Sequence, residues 1–101
     1  TSGLFAAMGA VGIGPGDEVI VPPWTMSATV MAPLLYGGIP VFADVEPETF
    51  CIDPADLERK IGPNTRAVLC VHMSGAPGRI DEIAALCKAR GLHLIEDCKY
   101  K

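Results

Sequence analysis

The segment Ala67-Val68-Leu69-Cys70-Val71 is apolar without interruption, with no polar residue at alternate positions. A strand with one face in water alternates, whereas a strand covered on both faces does not, and such strands belong to parallel sheets flanked by helices. Residues 66–71 are therefore expected to be an inner strand of an α/β fold. Ile80, Ile83, Ala84 and Cys87 then recur at helical spacing, with Gly91 as the stop, and residues 92–95 read as the next strand. Strand, helix and strand with short links make a βαβ unit, whose crossover is expected to be right-handed.

The preceding residues extend the same pattern. Residues 3–11 read as an Ala-rich helix closed by Gly12, and Gly12-Ile13-Gly14-Pro15-Gly16-Asp17 as a tight connection. Residues 18–21 form a short strand ended by Pro22-Pro23. Residues 26–36 read as a helix with a kink expected at Pro33, and 40–43 as another strand. Asp53-Pro54-Ala55-Asp56 is a helix start, with an N-cap, a first-turn proline and a first-turn acid; that helix is expected to end near Ile61-Gly62. The expected architecture is three-layered, with a mainly parallel sheet.

With 101 residues, half of them hydrophobic and a fifth charged, the chain supports one small globular domain at most. The net charge of −4 speaks against a nucleic-acid partner. No apolar stretch is long enough for a transmembrane helix. There is no initiator methionine or signal-peptide pattern, and the opening Thr1-Ser2-Gly3 reads as the start of a fragment. Cys51, Cys70, Cys87 and Cys98 form no C-x-x-C pair, so a zinc ribbon is not expected. Cys70 and Cys87 fall on apolar positions, where a reduced thiol packs as a small hydrophobe, as in a cytoplasmic protein.

Ligands of open parallel sheets bind beyond the carboxyl ends of the strands. Three features gather there: Asp97 after the last strand, His72 after the inner strand, and Thr1-Ser2 before the first helix, whose free N–H groups suit a phosphate. Taken singly, each has an ordinary structural role, as turn residue, hydrogen-bonded histidine or N-cap. Gly12-x-Gly14-x-Gly16 is not a dinucleotide loop, because its helix precedes it and its strand follows. A flavodoxin-like or receiver domain around Asp44 and Asp97 lacks the paired acids expected after a first strand.

The ordered segments carry more information than any single residue. Thr1-Ser2, Gly12-Ile13-Gly14-Pro15-Gly16-Asp17-Glu18-Val19-Ile20-Val21-Pro22, Thr25, Ala28-Thr29, Pro40-Val41-Phe42-Ala43-Asp44-Val45, Asp53-Pro54, Val71-His72-x-x-Gly75 and Ile95-Glu96-Asp97 together resemble the DegT/DnrJ/StrS family of fold-type I pyridoxal-phosphate (PLP) enzymes. The resemblance covers nearly the whole chain. It implies a PLP-binding large domain, of which residues 1–101 are a fragment lacking the small C-terminal domain. By the same resemblance, Thr1 and Ser2 match the segment around the PLP phosphate, and Asp97 matches the acid paired with the pyridine nitrogen. His72 lies near the cofactor with no role assigned. Where the family stacks an aromatic on the ring this chain has Met26, with Trp24 as the alternative, whose ordinary role is burial near the sheet edge.

The implied activity of the parent enzyme is transamination of a keto sugar, either nucleotide-linked or a cyclitol, with glutamate or glutamine as amino donor. The parent is expected to be a homodimer. The family's Schiff-base lysine lies well downstream of the acid. Lys99 and Lys101 are too close to Asp97 to match it, and the ending Cys98-Lys99-Tyr100-Lys101 departs from the family pattern. The fragment itself is thus expected to be inactive. Two alternatives are a sugar dehydratase of the same family, in which histidine replaces the lysine, and a non-catalytic truncated or interaction fragment.

Overall fold

The computed structural model describes residues 2–25, 27–72 and 79–97, with Ser2 described by its backbone. Helices and strands alternate: α1 (Ser2–Ala10), β1 (Glu18–Val21), α2 (Ser27–Leu35), β2 (Ile39–Phe42), α3 (Pro54–Lys60), β3 (Thr65–Val71), α4 (Ile80–Arg90) and β4 (His93–Asp97). The strands form one sheet in the order β2-β1-β3-β4, and each neighbouring pair is parallel.

The side chains of β1 and β3 divide between two cores, as the unalternating pattern requires. Ile20, Val68 and Cys70 pack with Leu57 of α3 and with Ile83 and Cys87 of α4. Val19, Val21, Ala67 and Leu69 pack on the other face with Met8 of α1 and Ala32 of α2. The fold is thus helix, sheet, helix, with α1 and α2 in one outer layer and α3 and α4 in the other. Val68 and Leu69 are fully buried on opposite faces, and each contributes about 1.5–3 kcal/mol on burial. Cys70 and Cys87 are free thiols within the core, packed as small hydrophobes.

Local chemistry sets the element ends. Gly12 and Gly16 take φ values of 76° and 86°, which side chains resist, so α1 turns into β1 within a short connection. Within it, Gly14 N–H donates to Asp17 Oδ2 at 3.0 Å. Asp53 caps α3 by accepting from Ala55 N–H at 3.1 Å, with Pro54 at the first helical position. α4 closes on Gly91, whose N–H donates to the carbonyls of Cys87 and Lys88.

The structure departs from the sequence expectations in two places, at the end of β4 and in the α4 stripe, and it carries α2 through Pro33 as expected. β4 extends to Asp97, because His72 N–H donates to the Asp97 carbonyl at 2.9 Å and so continues the ladder. Asp97 is therefore a strand residue and not the start of a turn. Pro33 is buried inside α2, and the helix runs on to Leu35. The Pro33 carbonyl accepts from Tyr36 and Gly38 at 3.1 and 2.9 Å, so the helix finishes one half-turn beyond the residue that cannot donate. Ala84 is exposed, on the flank of the α4 stripe, while Ile83 and Cys87 enter the core.

β2 is an edge strand with Pro40 in it. Ile39 N–H donates to Asp17 and Ala43 N–H to Val21, so the odd-numbered amides point inward and position 40 faces the open side. Beside this edge, Met31, Leu34, Leu35 and Ile39 expose an aliphatic surface. Among the described residues no helix is long and apolar enough to cross a membrane.

Asp56 ties the two halves of the β2–α3 crossover together. Its Oδ2 accepts from Asp44 N–H at 2.6 Å, and its Oδ1 accepts from Arg59 Nη2 at 2.6 Å. These two donors, the backbone amide foremost, hold the buried carboxyl below the usual carboxylate range. A depressed folded-state pKa adds stability above the ordinary pKa, and this is lost as pH falls through the lowered value. Asp56→Asn is expected to cost about 1–3 kcal/mol at neutral pH and to flatten the acid limb of stability against pH, as read by urea denaturation from pH 7 to pH 3.

Candidate functional site at the carboxyl edge of the sheet

The parallel arrangement sends every strand's carboxyl end to one edge of the sheet. The short link from α1 to β1 sets the direction of α1. Its C-terminus meets the start of β1, so its N-terminus lies at the carboxyl edge. Leu4 and Phe5 of α1 pack in the same cluster as Leu69 and Ile95. Strand alternation then puts Asp97, two residues beyond Ile95, on the α1 face and about 6–7 Å further toward the edge.

α1 carries no acidic residue in its first turn. Its leading N–H groups have no intrahelical partners, and with the helix dipole they form an anion-binding end. Ser2 is the first residue of this helix. The site thus combines an anion-binding helix end and a carboxylate on one face of one sheet edge. This donor set fits a molecule with a phosphate at one end and a basic ring nitrogen at the other. Thr1 and Met26, the other two expected cofactor contacts, lie outside the described residues.

His72 takes the opposite face. Its Nε2 lies 2.8 Å from Glu96 Oε1, and Glu96 follows Leu94 on the side packed against α3 and α4. The histidine side chain is buried, and its Nδ1 has no hydrogen-bond partner among the described residues. The adjacent acids Glu96 and Asp97 therefore serve different layers: one pairs with His72, and the other projects on the α1 side. Below this pair, burial pushes the Cys70 thiol up to about 12, so it remains protonated and is no nucleophile at neutral pH.

Trp24 is not buried at the sheet edge as its ordinary role would require. It is 60% exposed, with its ring centroid 6.0 Å from that of Phe50 and a 35° tilt between the planes. Phe50 has a φ of 58°, the left-handed region that a bulky residue rarely occupies. The sequence signalled neither Phe50 nor the role of Glu96. Alternation along β4 was the available clue for Glu96; for Phe50 there was none, since left-handed turns normally announce themselves by glycine or asparagine. Among the described residues no group of three or more His, Cys, Asp or Glu side chains could hold a metal ion.

The all-parallel α/β sheet is the fold of fold-type I aminotransferases, and solved structures of that class correspond to it closely. Residues 1–99 match the DegT/DnrJ/EryC1/StrS aminotransferase family, and the chain belongs to that family. It is 44% identical over 98 residues to the L-glutamine:2-deoxy-scyllo-inosose aminotransferase of Streptomyces paromomycinus, covering 97% of this chain and 23% of that protein. It is 45% identical over 98 residues to the GDP-perosamine synthase of Vibrio cholerae, covering 97% of this chain and 27% of that protein. The Bacillus subtilis NtdA structure with bound cofactor PMP superposes with a TM-score of 0.89 at 40% identity, covering 93% of this chain and 22% of that one. The chain thus spans about a quarter of the length of these relatives.

His72→Gln is expected to lower the thermal midpoint, because the cavity and the lost Glu96 contact fall in a packed layer. It is expected to leave the affinity for pyridoxamine 5′-phosphate within about twofold, since the backbone bond to Asp97 persists. Calorimetric titration of both proteins with pyridoxamine 5′-phosphate checks this, and a large loss of affinity would place His72 in the cofactor site.

Proposed function

We propose that this chain is part of the PLP-binding large domain of an aminotransferase that aminates the keto group of a nucleotide-linked sugar or cyclitol, with glutamate or glutamine as donor. The observation that carries this reading is Asp97 at the end of β4, on the same face and edge as the N-terminus of α1. Family membership and the sugar and cyclitol aminotransferases among the relatives support it.

When bound, the cofactor supplies an electron sink for the carbon that loses its proton. The residues of the chain hold it in place. Asp97 would hold the pyridine nitrogen. Thr1, Ser2 and the leading amides of α1 bind the phosphate. Met26 would be the residue to meet the ring, through a sulfur–ring contact. Trp24 is engaged with Phe50 over the β1–β2 side, which leaves the ring to Met26. His72 acts from the opposite face, as the partner of Glu96. Covalent attachment is not assigned to any residue of this chain. The reading includes a homodimeric parent in the cytoplasm, where the buried thiols Cys70 and Cys87 would stay reduced.

Pyridoxamine 5′-phosphate is the suitable probe, because it cannot form imines with stray lysines. Asp97→Ala is expected to weaken its binding at least about tenfold, roughly the loss of one charge-assisted hydrogen bond. Ser2→Ala is expected to weaken it less, since backbone amides remain. Calorimetric titration reads both, and equal affinity for wild type and Asp97→Ala would refute the assignment.

A further inference from the structure

α1 depends on its neighbours for its position. It is nine residues long, has no charged side chain and contains Gly3 and Gly9. A helix that short is marginal on its own, and glycine weakens it further. Yet the task proposed for its leading N–H groups, holding a phosphate, tolerates a misplacement of only about 0.5 Å. Burial fixes part of the helix: Met8 lies in the core, and Leu4 and Phe5 pack against it.

The turn Tyr36-Gly37-Gly38, between α2 and β2, holds the helix from the amino edge of the sheet. This turn lies against the connection from α1 to β1. A Cβ at Gly38 would lie 2.8 Å from Ile13 Cγ2, and one at Gly37 would lie 3.3 Å from Pro15 Cα, so glycine permits the close approach. Tyr36 N–H donates to the Pro33 carbonyl at 3.1 Å and Ile39 N–H to the Asp17 carbonyl at 2.8 Å, which anchors the turn at both ends. From this platform Tyr36 reaches back along α1, and its hydroxyl donates to the Phe5 carbonyl at 2.9 Å.

Packing alone explains neither side of this contact. Tyr36 is 37% exposed, and a shorter apolar side chain would cover α1 without a hydroxyl. Gly9 is exposed on the helix surface, where alanine favours the helix. A Cβ at position 9 would lie 2.9 Å from Tyr36 Oη, closer than such atoms approach, so the glycine makes room for the hydroxyl. Phe5 is three residues beyond Ser2, about 4.5 Å along the helix axis. The Tyr36 bond therefore grips α1 within a turn of its leading N–H groups, while the Ile13 contact fixes its other end.

We propose that Tyr36 is a positioning residue for the phosphate-binding end of α1. It acts through the Phe5 carbonyl and does not touch the cofactor. This rests on the aminotransferase reading above and adds to it a residue outside the candidate cofactor contacts.

Tyr36→Phe removes the hydroxyl and keeps the ring. It is expected to weaken pyridoxamine 5′-phosphate about fivefold, the worth of one neutral hydrogen bond. The phosphorus NMR resonance of the bound probe is expected to move as well, because the amides around the phosphate shift. Gly9→Ala pushes the hydroxyl off the carbonyl while favouring the helix. It is expected to hold or raise the thermal midpoint and yet to weaken the probe by a similar factor. In the double variant the alanine Cβ meets only the ring, 3.4 Å from Cζ, so the loss is expected to equal that of Tyr36→Phe alone. Calorimetric titration, thermal denaturation and phosphorus NMR read these effects. Unchanged affinity in Tyr36→Phe overturns the proposal. So does wild-type affinity in Gly9→Ala, or losses that add in the double variant. A bound-probe resonance that stays in place while affinity falls assigns Tyr36 to general packing and overturns it too. Each of these outcomes includes binding by the wild-type chain and so leaves the aminotransferase reading standing. A wild-type chain that does not bind the probe rejects that reading and the proposal together.

Discussion

β3 shares hydrogen-bonded edges with β1 and β4 and sends side chains into both cores, so the layers on either side of the sheet depend on it. Val68 and Cys70 hold α3 and α4, while Ala67 and Leu69 hold α1 and α2. A polar residue at any of these positions would lie in an apolar layer, where an unpaired polar group is costly. The same strand aligns β4 with β1 and, through the His72 amide, carries the ladder to the Asp97 carbonyl. The fold and the position of the candidate cofactor acid thus have one cause.

This arrangement explains how two consecutive acids come to have separate tasks. The pleat turns Glu96 toward His72 and Asp97 toward α1. The Glu96–His72 contact on the α3–α4 face and the His72–Asp97 backbone bond in the plane of the sheet together join the ends of β3 and β4. An acid meant to meet a cofactor ring benefits from such support, because a strand end that frayed would carry its carboxylate with it.

Much of this was legible in the sequence, and the reasons differ by element. The apolar run in β3 could only be a strand covered on both faces, and the Asp53-Pro54 start of α3 follows from capping chemistry, so both are found where expected. β1 was marked by its β-branched residues and closing prolines. β4 was read two residues short, because Glu96 and Asp97 look like turn residues until a neighbouring strand end accepts them. Asp97 was legible as a candidate site residue from its place after a strand and from the family pattern. Its separation from His72 was not, because face depends on a pleat phase that a short strand states weakly. Phe50 was invisible: its conformation is imposed by the Glu46–Cys51 loop and by nothing in its own side chain.

The proline in β2 has a consequence for how the sheet can grow. Position 40 faces outward and offers no N–H, so a strand approaching β2 meets an interrupted row of donors. β4, at the opposite edge, contains no proline. Among the described residues, an added strand meets an uninterrupted row of donors beside β4 and an interrupted one beside β2. The sheet has a polarity across its strands as well as along them, and its receptive side is the one that bears the candidate acid Asp97.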